Sequence, residues 1–152
     1  MRSGTSRIVR RVIVVAAAVA VTAAAMTATE AIKKRQKAME GVGEGMKALA
    51  AIAKKEQPFD AGVVQANAAK IADHLAEAAA LFPEGSDAGD VQTWAKPEIW
   101  TDRENFDTIM KASHQAAVDL QSVTEAEAFP PALGALGNGC KSCHDLYRLP
   151  KN

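Results

Sequence analysis

The 152-residue sequence predicts an all-α protein, an antiparallel up-down-up-down four-helix bundle in one domain. Three observations predict it. Hydrophobic residues make up 48% but aromatics only 5%, with alanine abundant, which suits helices better than strands. Apolar residues recur at spacings of three and four along the exported part of the chain. The joints are short save one, so successive helices turn back on each other. The sequence shows no strand pattern, internal repeat or low-complexity tail.

The N-terminus comes first. Arg2, Arg7, Arg10 and Arg11 precede an apolar run from Val12 to Met26 that closes on small residues. A basic region, a short apolar stretch and small residues form the pattern of a secretory signal peptide. The run is shorter than the roughly 20 apolar residues that span a bilayer, so a cleaved leader is expected rather than an anchor. The leader is residues 1–28, cut after Ala25 or Ala28, and the domain is 29–152. Removing four arginines turns 18 basic against 18 acidic residues into 14 against 18, a net charge of −4. No nucleic-acid footprint stands out in that balance. The expected location is the bacterial periplasm, with no membrane contact unless the leader is retained.

The first helix is expected over about Glu30 to Lys55. Ile32, Arg35, Met39, Val42, Met46, Leu49 and Ala53 recur at alternating spacings of three and four, a seam facing a bundle interior. QPFD (57–60) breaks this helix, and Asp60 suits the N-cap of the second, about Ala61 to Phe82. Residues 83–100 have no helical period and contain two prolines, two glycines and both tryptophans, forming the one long connection. Thr101 with Glu104 reads as a capping box for the third helix, which carries Phe106, Ile109, Met110, Ala117 and Leu120 and ends near Thr124. A short joint containing Pro130-Pro131 leads into the fourth.

That last helix holds Cys140, Cys143 and His144 near its C-terminal end, and no other cysteine exists. A thioredoxin-like dithiol needs a helix N-terminus beside a βαβ pattern, which the sequence lacks. Structural zinc needs four ligands, and neither His74 nor His114 has a partner at metal-binding spacing. A disulfide here would close a tiny loop and stabilise little. C-x-x-C-H instead suits covalent haem attachment. Thiols one helical turn apart add to the two haem vinyl groups, and the following imidazole comes up beneath the iron. Cys140 and Cys143 are therefore the expected thioether anchors of one haem c per chain, and His144 the proximal iron ligand.

The motif lies at the C-terminus, so any sixth ligand from the protein comes from upstream. With IKKRQKAM (32–39), GMKALAAIAKKEQPFDAG (45–62), LFPEGSDAG (81–89), AKPEIW (95–100) and CKSCHDLYR (140–148), the chain resembles the class II c-type cytochromes. These include cytochrome c′ and its low-spin relatives of the cytochrome c-556 type. Cytochrome c′ is itself a standard up-down-up-down bundle, so this resemblance and the fold expectation are not independent. The likeness spans nearly the whole mature chain and implies a haem among the four helices near one end.

The resemblance implies that Met39, four residues after Arg35, occupies the distal position and completes a His/Met low-spin iron. Spacing alone would read Met39 as core filler. Met46, one heptad on, is the substitute ligand. Arg35 on the seam would snorkel to solvent in an ordinary helix, whereas beside a haem it could grip a propionate bidentately. Trp94 and Trp100 either cover a haem edge or pin the long connection. Arg148 near the last turn needs no haem role. With both axial positions filled, the expected function is one-electron transfer to transient redox partner proteins. The alternative is a five-coordinate haem protein binding NO or CO. No organised acid, base or nucleophile suggests an enzyme. A monomer and a homodimer are both compatible with the sequence.

Overall fold

The computed structural model describes residues 26–150. The expected signal peptide therefore lies mostly outside the described residues, whose first helix begins at its very end. Four long helices, α1 (Ala28–Ala53), α2 (Ala61–Ala79), α4 (Arg103–Leu120) and α5 (Phe129–Tyr147), form the bundle. A one-turn helix, α3 (Glu98–Thr101), sits in the long connection. Among the described residues no helix is long and apolar enough to cross a membrane.

Helix α1 starts at a capping box. Glu30 N–H donates to Thr27 Oγ1 (3.2 Å), and Thr27 N–H donates to Glu30 Oε2 (2.9 Å). The buried stripe of α1 runs through Ala31, Ile32, Arg35, Ala38, Val42, Gly45, Leu49 and Ile52. It departs from the expected seam in two ways. Ala53 is exposed and Ile52 takes its place, while Met39 and Met46 are half-buried beside the stripe. The stripe meets α2 except at Arg35, which reaches the long connection, and the two methionines look elsewhere.

Asp60 caps α2 as expected, its carboxylate accepting from Val63 N–H at 3.0 Å. That helix ends at Ala79, three residues before the expected Phe82. Phe82 precedes Pro83, and a residue before proline is pushed out of helical backbone. Leu81 and Phe82 are still buried, so the core continues past the helix. The capping box expected at Thr101 and Glu104 does not form. Thr101 closes α3, and Asp102 enters α4 without a side-chain cap. The Asp102 carboxylate is engaged elsewhere, accepting from Tyr147 Oη at 2.6 Å. Helix α4 ends at Leu120, four residues early. Pro130 and Pro131 lie within the first turn of α5 rather than before it, where proline's fixed φ suits a helix start and its missing N–H costs nothing.

Packing is sequential: α1 on α2, α2 on α4, α4 on α5. Among the described residues, α1 and α5 make no comparable contact. An aromatic chain ties the long connection to α4 and α5. Trp100 meets Phe82 at 6.2 Å, Phe82 meets Phe106 edge-on at 4.9 Å, and Phe106 meets Tyr147 at 5.4 Å. The connection also pairs with the chain after α5: Lys96 N–H donates to Tyr147 O (2.9 Å), and Leu149 N–H to Trp94 O (2.7 Å).

Candidate haem site

The separation of α1 from α5 leaves a cavity of about 660 Å³, within the roughly 300–1,000 Å³ of cofactor sites. Every site residue expected from the sequence lines it: Arg35, Met39 and Met46 from α1, and Cys140, Cys143 and His144 from α5. The α5 trio follows from helix geometry, since positions three and four apart share a face. One residue earlier, Gly139 lets α5 close on α4. A Cβ there would lie 2.7 Å from Ser113 Oγ and 3.3 Å from Ser113 Cα. At its C-terminus α5 is capped by a residue that sequence reasoning missed. Lys96 Nζ donates to Asp145 O (3.2 Å) and Leu146 O (3.1 Å), two of the carbonyls a helix end leaves unpaired.

Both cysteines are half-buried free thiols. Burial raises both, and the neighbouring Cys140 helps push Cys143 up to about 11, against the pull of Arg148. A redox-active dithiol needs the opposite, a stabilised thiolate. His74 stands outside the cavity, with Nδ1 3.6 Å from Glu77 Oε2. His114 lies on α4, also outside it. The tryptophans divide the two roles open to them. Trp94 lines the cavity, whereas Trp100 pins the connection through Nε1–H to Pro83 O at 2.9 Å.

Arg35 is only 4% exposed. Its guanidinium donates to Ser86 O (2.9 Å), Ser86 Oγ (3.1 Å), Thr93 Oγ1 (2.7 Å) and, at a long 3.5 Å, Leu81 O. It also lies over the rings of Phe82 (5.0 Å) and Trp100 (5.7 Å). Burial lowers it to about 10, with Asp87 opposing, and it remains a cation at neutral pH. Its direct partners are neutral oxygens and π faces. Nothing in the sequence singles out Ser86 or Thr93, 51 and 58 residues away.

A family model described as Cytochrome C' matches residues 30–148. The chain belongs to the cytochrome c′ family. It is 40% identical over 130 residues to a cytochrome c′ of Rhodopseudomonas palustris, covering 84% of this chain and 88% of that one. It is 36% identical over 134 residues to a cytochrome c-556 of Agrobacterium fabrum, covering 85% and 88%. The solved cytochrome c′ of Rhodopseudomonas palustris superposes with a TM-score of 0.75 at 37% identity, covering 80% of this chain and 98% of that one. As a cytochrome c′ family member, the protein takes haem c with its iron as cofactor. The cavity suits that group: apolar walls for a flat macrocycle, two thiols on one helical face, an imidazole beside them, and a guanidinium on the wall.

Proposed function

We propose that this cytochrome c′ family protein is a periplasmic one-electron carrier with a His/Met-ligated, low-spin haem c. The observation that carries the reading is that Met39 and His144, on helices that do not pack together, line one cavity. Haem c supplies, when bound, an iron that exchanges one electron between its ferric and ferrous states.

The remaining roles belong to the chain. Cys140 and Cys143 anchor the group through thioethers and His144 holds the iron from the α5 side. Met39 holds it from α1, and a thioether ligand raises the potential by favouring ferrous iron. With both side chains held on their helices in either oxidation state, little of the chain would need to rearrange. Arg35 holds a propionate, an anion in direct contact where its guanidinium otherwise meets only neutral oxygens. Trp94 covers the cavity wall on the side of the long connection. Electron exchange then requires only a small, transient contact with a redox partner.

Visible spectra of the oxidised and reduced holoprotein, with and without CO, test the reading. Sharp low-spin bands, a ferric methionine–iron band and indifference to CO are expected. Met39→Leu is expected to give a high-spin iron that binds CO at once, the behaviour of a five-coordinate gas-binding protein. If that spectrum belongs already to the unsubstituted protein, the gas-binding function replaces electron transfer. If Met39→Leu leaves a low-spin spectrum unchanged, Met46 is the ligand.

A further inference from the structure

Helix α1 carries three glycines two residues apart, Gly41, Gly43 and Gly45. Glycine inside a helix is unfavourable relative to alanine, so each needs a reason. Two have one on the α2 side. A Cβ on Gly41 would stand 2.2 Å from His74 Nε2, and one on Gly45 would stand 2.7 Å from Ile71 Cγ1. Gly43 has no such reason, because beyond its own stretch of helix a Cβ there would meet nothing within 4 Å.

Gly43 nevertheless lines the cavity. Arg35, Met39 and Gly43 follow at intervals of four along the same helix, about 6 Å of rise per step, so all three share the cavity side of α1. One step presents a cation and the next a thioether. The third presents bare backbone. We propose that Gly43 is a positioning residue: its missing side chain lets the macrocycle edge lie against the α1 backbone, which sets how closely Met39 reaches the iron. A methyl group at 43 would occupy that contact and push the ring away from α1, weakening the methionine bond. This inference rests on Met39 as the distal ligand.

The test compares three holoproteins with the unsubstituted one: Gly43→Ala, Gly43→Leu and, as a control, Gly134→Ala. Gly134 lies inside α5, is exposed, does not line the cavity, and likewise has nothing within 4 Å of its Cβ position. Removing a helical glycine there is expected to raise the melting temperature by about 3 °C. Gly43→Ala is expected to lower it instead, despite the same gain in helix propensity. Gly43→Leu is expected to show a high-spin fraction and CO binding in the ferrous state. A melting temperature that rises in Gly43→Ala as in Gly134→Ala, with an unchanged low-spin spectrum, would overturn the proposal. If the unsubstituted protein is high-spin, the Met39 reading fails and takes the spectral arm with it. The sign of the Gly43→Ala shift then decides by itself whether the ring rests on this backbone.

Discussion

Arg35 is a cation in the core whose direct contacts are Ser86, Thr93 and two aromatic faces, with Asp87 acting on it only at longer range. Neutral oxygens satisfy its N–H groups, but burying a charge with no acid in direct contact remains costly. A propionate would supply an acid in direct contact. Replacing Arg35 by methionine keeps the volume and removes the cation. The variant is expected to have a lower reduction potential, because a nearby positive charge favours the less positive ferrous state. About 59 mV corresponds to a tenfold change in the one-electron equilibrium, and potentiometric titration at pH 7 reads such shifts directly. An unchanged potential together with unchanged holoprotein stability would separate Arg35 from the propionate. At this scale legibility in the sequence depended on distance along the chain. Cys140, Cys143 and His144 fall within one turn and could be read as a unit. The partners of Arg35 come from a connection without periodicity, so the sequence exposed the unusual arginine but not what surrounds it.

Helix ends show the same rule one level up. Asp60 could be read as an N-cap because its target N–H is only three residues away. The Thr101–Glu104 box followed an equally local pattern and failed, because Thr101 is itself the last residue of α3 and the chain enters α4 one residue later, at Asp102. Local signals hold until a neighbouring element claims the same residue. At Thr27 no neighbouring element of the described residues intervenes, and the box closes with three hydrogen bonds to or from Glu30. The Thr27 N–H bond also holds the Glu30 carboxyl below its ordinary value. This helix start bears on maturation. Cleavage after Ala28 would remove Thr27, whose loss as an N-cap costs about 1 kcal/mol, whereas cleavage after Ala25 leaves it in place. The mature protein is therefore expected to begin at Met26, and the intact mass of the exported holoprotein checks it. A mass that places the first residue at Thr29 would show that export proceeds without the cap.

The whole molecule is a bundle whose contacts run from α1 through α2 and α4 to α5, with the circuit left open between the first and last helices. The apolar stripes that make each helix legible explain the three packed interfaces. They could not show that Met39 and Met46 leave the stripe, because a one-residue offset on a helix is a rotation of about 100° that only a partner surface can fix. That offset gives α1 two faces, one for α2 and one for the cavity. A closed void of about 660 Å³ would cost on the order of 16 kcal/mol at about 24 cal/mol per Å³, as much as the whole stability of a domain. This cavity opens to solvent, so water lowers that cost, but it leaves the apolar walls wet. The cofactor should therefore complete the tertiary structure as well as provide the redox centre. A Cys140→Ser, Cys143→Ser protein purified without haem is expected to keep much of its far-UV helical signal. It should also lose its near-UV signal and bind a hydrophobic dye, the marks of a collapsed bundle without fixed packing. Its thermal transition should be broad and lie well below that of the holoprotein. A sharp transition within a few degrees of the holoprotein would mean that the three packed interfaces suffice, and that α1 is held in place by α2 alone.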